Sequence, residues 1–334
     1  MPAAAPAPPA PRLTGLEALR FVAALCVMAL HTPVIYGHGL PQPFRKGYLG
    51  VDLFFMLSGF VMAKSFERKP PAAQPVLRFS LDRYMRMWPV MAVGGLIGWP
   101  LLHLRLPDDA RFWPIALANL LLLPVSFQRE AYPLDVPAWT ILYILLGNLL
   151  HRLLFWRLGM RALVLLIAAS ALAMALVGAH AGSFDVGARP ENMALALPRL
   201  VLAYAIGMAL RRGWGDSPPF APPAWLALAA VPALMLGAWV LALTGWLFDM
   251  AFLVLACPLI IAGAMRARRG AALATFCGAW AFPLYAVHYP LILRLRMNGA
   301  APAVACVAAL IVAALVTVIE RAVRSGFARA RIAG

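Results

Sequence analysis

Apolar runs long enough to cross about 30 Å of hydrocarbon recur along the chain, separated by short polar and basic stretches. They fall near residues 15–36, 47–66, 88–106, 134–156, 161–181, 193–210, 223–244, 246–265, 272–293 and 300–320. This pattern predicts an all-α integral membrane protein, a multi-pass bundle of about ten transmembrane helices. An eleventh apolar piece, 113–125, is bounded by Pro114 and Pro124 and is too short to cross comfortably. Whether it crosses or re-enters decides the sidedness of everything after it.

Charge bias arbitrates, because loops on the cytoplasmic side are enriched in Lys and Arg. With 113–125 not crossing and the N-terminus inside, the inner side collects 20 of the 29 cations; with 113–125 crossing, that number falls to 13. The preferred topology therefore has ten spans, a short re-entrant segment near 113–125 and both termini cytoplasmic. Residues 1–11, MPAAAPAPPAP, read as a disordered Pro/Ala-rich tail, 12–324 as the membrane domain and 325–334 as a short basic cytoplasmic tail. The first run is kept as a span and not a signal peptide. Glu17 and Arg20 interrupt it, and no clean small-residue cleavage site follows.

Composition agrees with the pattern. At 63% hydrophobic and 13% charged residues, with mean hydropathy +0.81, the chain has too little polar surface to cover a soluble globule. The net charge of +16 lies in clusters between apolar runs, as membrane topology requires, so nucleic acid is not expected as a partner and membrane lipid is. Cys26, Cys257, Cys277 and Cys306 all sit in apolar runs without ligand spacing, so neither a disulfide nor a metal site is expected.

The candidate chemistry starts in the first span. Arg20 and His31 are eleven positions apart, which on a helix places them within about 20° of one face and about 16 Å apart along the axis. Alone, Arg20 fits a side chain snorkelling to headgroups, and His31 fits interfacial water. Together on one face they favour a functional route across the membrane. The second span carries Asp52 and Ser58 within GVDLFFMLSGF, residues that helix capping or close packing would also explain. LRFSLDRYMRMWP reads as an inner loop. On a short helix there, Arg83 and Arg86 face one way, suited to phosphate or equally to anionic lipid. The ten-span topology puts His31, Asp52, Trp139, Tyr143 and His288 in the outer half and Arg20, Arg83 and Arg86 at the inner side.

Arg20 with His31, GVDLFFMLSGF, the RYMR pair ahead of a Trp-Pro, PAWT, PLYAVHYPL and a closing IE follow one another from about residue 13 to 321. In this order they resemble the acyltransferase 3 family, bacterial integral-membrane O-acyltransferases that modify sugars and other surface or secreted molecules. The resemblance implies a bacterial cytoplasmic (inner) membrane protein. Its donor would be acetyl-CoA or another acyl-CoA arriving from the cytoplasm, and its acceptor a hydroxyl of a sugar or surface glycan near the outer face. By motif match His31 takes the essential histidine position, Arg20 its arginine partner, and Arg83 and Arg86 the inner-loop arginine pair.

An unperturbed imidazole titrates near pH 6.5, so His31 suits a general base. Asp52 is expected to orient the site and raise the basicity of His31; an acyl-histidine intermediate stays open. Trp139, Tyr143, Asn148, Tyr285 and His288 are the expected acceptor contacts, with helix packing the alternative for His288. The chain departs from the family pattern W-S-L-S-x-E at Ile144, where the family commonly has glutamate, and at Ala281 and Phe282, where Ser and Tyr are common. Glu320, beside Arg321 near the inner end of the last span, is read as making a structural ion pair. The competing class is a transporter or flippase of a lipid-linked or small solute, although the chain shows no inverted repeat. A catalytically inactive scaffold is the third reading, kept open by Ile144.

Overall fold

The computed structural model describes residues 14–37, 39–67, 74–267 and 271–333, with 271–275 and 326–333 as backbone only. The tail 1–11, Arg12, Arg68, Lys69, Arg268 and Arg269 lie outside the described residues. In chain order the helices begin with α1 (Thr14–Tyr36), α2 (Leu49–Ser65), α3 (Val76–Arg105), α4 (Phe112–Leu120), α5 (Trp139–Leu153) and α6 (Met160–Ala181). They continue with α7 (Ala196–Trp214), α8 (Ala224–Val240), α9 (Trp246–Ala251), α10 (Cys257–Met265), α11 (Ala271–Met297) and α12 (Pro302–Ala333). A π-helical turn, Phe252–Ala256, joins α9 to α10 just ahead of Pro258, so the two cross as one rod. Among the described residues nine helical stretches are long and apolar enough to span a membrane, and the 17-residue α8 is a shorter apolar tenth. These ten coincide with the ten runs of the sequence.

The segment 113–125 does not cross. Nine residues of α4 rise about 13 Å, under half the hydrocarbon thickness. α4 runs back alongside α3, from Phe112 against Trp99 and His103 (ring centroids 5.3 Å in both cases) to Leu120, whose carbonyl accepts from Trp88 Nε1 at 2.8 Å. Leu122 turns the chain in the left-handed region (φ 59°). Asn119 then ties the hairpin shut, donating to the Leu123 and Ala131 carbonyls and accepting from the Leu134 amide. Irregular backbone at this depth is tolerable because its polar groups are satisfied within the protein.

One sequence reading is corrected in α3. LRFSLDRYMRMWP is not a loop: it is the opening of a 30-residue helix that continues through Pro89 and Pro100. Neighbouring turns and packed helices make up for the two missing N–H donors.

Two helix pairs build the centre. α1 and α11 run parallel, in contact from Glu17 beside Gly278, through Phe21 on Trp280, to Tyr36, whose hydroxyl donates to the Ala300 carbonyl beyond α11. α2 and α7 are also parallel and touch backbone to backbone. A Cβ at Gly59 would stand 2.1 Å from the Tyr204 carbonyl oxygen, and one at Gly207 would stand 1.9 Å from that of Met56. Small residues permitting such approach are a recognised route to helix association where lipid offers no hydrophobic drive.

Candidate active site

Polar groups gather at two levels along the α1–α11 pair. At one end a cavity of about 570 Å³ opens between α1, α2, α3, α5, α11 and α12. Its wall carries five guanidinium groups, from Arg20, Arg83, Arg86, Arg321 and Arg324, with the carboxylates of Glu17 and Glu320. Glu320 pairs with Arg324 one helical turn on, at 2.5 Å, and not with the adjacent Arg321. Neighbours in sequence point about 100° apart on a helix, whereas i and i+4 share a face. The rest of the lining is apolar at Phe54, Ile141, Ile144 and Phe282, among other residues, with Ser58, Thr140, Asn148, Tyr285 and Thr317 as its uncharged polar residues.

Beyond Tyr285 lies the second level. His31 Nδ1 is 2.9 Å from His288 Nε2, and the two rings stack with centroids 5.1 Å apart. His288 is fully buried, and its Nδ1 lies 3.0 Å from the Leu284 carbonyl and 2.9 Å from that of Tyr285. Carbonyl oxygens only accept, so His288 Nδ1 carries its proton and, in the neutral pair, His288 Nε2 is the acceptor. His31 Nδ1 therefore donates, and the lone pair of His31 lies on Nε2. Tyr289 packs edge-on against the His31 ring at 5.2 Å. Between the cavity and this pair stands Tyr285, 2.7 Å from the Thr140 hydroxyl and one turn before His288.

Asp52 is not the partner of His31. Both its carboxylate oxygens accept from Arg199, Nε and Nη2 each at 2.8 Å, with both side chains fully buried. Arg199 also donates to the Tyr48 and Val186 carbonyls. Beside it, the Asp249 carboxylate takes Lys46 at 2.5 Å, the Tyr48 hydroxyl at 2.7 Å and the Phe184 amide at 2.9 Å. A fully buried carboxylate needs a cation with several fixed donors, and Arg199 meets that need where a neutral imidazole would not. This network joins α2, α7 and α9 to the loop after α6.

The acceptor contacts expected from the sequence divide. Tyr285 and Asn148 line the cavity, and His288 completes the imidazole pair. Trp139 packs on Phe55, Tyr143 and the Arg199 guanidinium instead, and the Tyr143 hydroxyl is taken by the Met193 carbonyl. Arg199 and Lys46 are the groups that sequence reading missed. Each is a cation beside or within an apolar run, a signal of function or pairing, but charge bias alone names no partner for either. A further surprise is Asp135, just ahead of α5. It is 3% exposed, and neither carboxyl oxygen has a hydrogen-bond partner among the described residues. Among the described residues no three His, Cys, Asp or Glu side chains gather as a metal-binding group.

Comparison with known proteins gives the geometry a family. The acyltransferase 3 model, described as an acyltransferase domain, matches residues 13–319. The chain belongs to the acyltransferase 3 family. It is a multi-pass membrane acyltransferase, and the two polar levels lie wholly within the matched residues except for Glu320, Arg321 and Arg324. Curated relatives of this acyltransferase 3 protein include "Protein 2 in picA locus" of Rhizobium radiobacter, 30% identical over 191 residues, 52% of this chain and 97% of that protein. Another is "Exopolysaccharide production protein ExoZ" of Rhizobium meliloti (strain 1021), 28% identical over 206 residues, 58% of this chain and 59% of that one. No solved structure matches.

Proposed function

We propose that this protein moves an acyl group, most simply acetyl, from cytoplasmic acyl-CoA to a hydroxyl of a polysaccharide or its sugar precursor, with His31 as general base. The phosphates of the donor engage Arg20, Arg83 and Arg86, and its pantetheine arm runs along the apolar wall toward Tyr285. The acceptor hydroxyl approaches His31 Nε2, with Tyr285 as the cavity-lining polar group one turn from the imidazole pair and His288 acting through its hydrogen bond to His31. Its oxygen attacks the thioester carbonyl carbon, the C–S bond breaks, and the hydroxyl proton passes to His31 Nε2 and from there to the departing thiolate. The name of the exopolysaccharide relative supports a glycan acceptor. The cation-rich end faces the cytoplasm, as the positive-inside rule favours, and the membrane is then the bacterial inner membrane.

The observation that carries this reading is the imidazole pair of α1 and α11, whose tautomers leave one unshared lone pair on His31. It sits one turn beyond a cavity lined for an anionic ligand. His288 can hold the charge of the transient imidazolium through the shared hydrogen bond, a task expected of the missing carboxylate partner in a His-Asp arrangement.

The test is transfer of radiolabel from [¹⁴C]acetyl-CoA into polysaccharide in membranes containing wild-type protein or a stably expressed His31→Ala variant. Wild-type transfer with a loss of at least about 100-fold in the variant is expected. Undiminished transfer by His31→Ala removes the base assignment, and solute flux without acylation replaces the enzyme with a transporter.

A further inference from the structure

The cavity holds a second arginine pair that the acyl-CoA reading does not yet use. Arg321 and Arg324 are three apart on α12, the same spacing as Arg83 and Arg86 on α3, and all four line one cavity. Arg324 Nη2 reaches the Arg86 carbonyl oxygen at 3.4 Å, so the two pairs meet across the cavity mouth. Five guanidinium groups stand there against two carboxylates, Glu17 and Glu320. Gathering like charges in a partly desolvated space is costly unless an anion neutralises them.

CoA presents two separate anionic centres, a pyrophosphate bridge and a phosphate on the ribose 3′-oxygen. The pyrophosphate lies nearer the pantetheine arm and so reaches deeper; the 3′-phosphate stays with the adenosine end at the mouth. Arg324, with its side chain 55% exposed, is at the mouth. We propose that Arg321 and Arg324 bind the 3′-phosphate of the donor ribose, leaving Arg20, Arg83 and Arg86 to the pyrophosphate. A bidentate guanidinium fork suits a terminal phosphate with three free oxygens. In the unliganded protein the Glu320 carboxylate holds one of the two forks, and the phosphate displaces it. This rests on acyl-CoA being the donor.

The experiment is equilibrium binding of CoA and of 3′-dephospho-CoA to the purified full chain in neutral-lipid nanodiscs. Wild type is expected to prefer CoA by about tenfold, and the Arg321→Ala/Arg324→Ala variant to lose that preference while binding 3′-dephospho-CoA as wild type does. Glu320→Gln, which removes the competing carboxylate, is expected to tighten CoA binding by a few fold and leave 3′-dephospho-CoA unchanged. That gain is one a misfolded variant does not produce.

Equal weakening of both ligands, or a CoA preference that survives the double substitution, overturns the assignment and leaves the acyl-CoA reading standing. A double variant that binds CoA as wild type does but loses affinity for phosphatidylglycerol nanodiscs assigns the pair to lipid headgroups and overturns it likewise. If wild type binds neither nucleotide, the donor reading falls as well.

Discussion

Asp135 shows at the scale of one residue how burial and chemistry part company. Its carboxyl sits close to Gly94 of α3, where an added Cβ would meet the Asp135 Oδ2 at 3.3 Å and the Ala286 carbonyl oxygen at 2.0 Å. Leaving a buried polar group unpaired costs about 1–3 kcal/mol, more for a charged one. Asp135→Asn keeps the shape and removes the ionisable group, so its thermal midpoint in detergent is expected to equal or exceed that of wild type. A clear fall would show that the carboxyl has a partner.

Nothing in the local sequence marks Asp135. By contrast Arg20, His31, Arg83 and Arg86 were legible, because spacing along a single helix fixes which side chains share a face. Asp52 was legible as a buried charge but not as half of an ion pair, since Arg199 is distant in sequence and meets it only when α2 and α7 pack.

At the scale of elements, the close approach of α2 and α7 depends on two glycines placed against each other's carbonyls. Gly207→Ala would drive a methyl into the Met56 carbonyl, so the helices must separate and strain the Asp52–Arg199 pair one or two turns away. Loss of about 1–3 kcal/mol is expected, the range of overpacking in a close-packed interior, and is read as a fall in thermal midpoint with the helical circular dichroism retained. An unchanged midpoint would mean that the contact relaxes freely. The same element scale explains the misread start of α3. A basic amphiphilic stretch followed by Trp-Pro looks like a loop when only hydropathy is weighed, whereas the helix needs only that Pro89 lose one backbone bond. α4 illustrates the opposite case: its short length and flanking prolines already argued against a crossing, and the Asn119 bonds show what holds the hairpin in place.

At the scale of the whole molecule, ten crossings return the chain to the side on which it began. A phosphatase reporter active only outside the cytoplasm, fused after Gly334, should stay inactive, and one inserted in the loop between α6 and α7 should be active. The reverse pattern would put the arginine cavity on the outside and deny it cytoplasmic CoA. The two chemistries are joined by α1, which carries Arg20 at one depth and His31 at the other, and by α11, which supplies His288 and, between the two levels, the Tyr285–Thr140 contact.

Period, length and charge bias along the chain determined that this is a ten-span helical bundle with a cation-rich side, because lipid allows few other solutions for apolar runs of this length. They also placed Arg20 and His31 on one face. Only the tertiary structure decided the partners: His288 for His31, Arg199 for Asp52, Arg324 for Glu320, and the meeting of the α3 and α12 arginines at one cavity. Except for Glu320 and Arg324, these contacts join residues on different helices, and their energies depend on distances of a few ångströms that helix packing sets and sequence spacing does not contain.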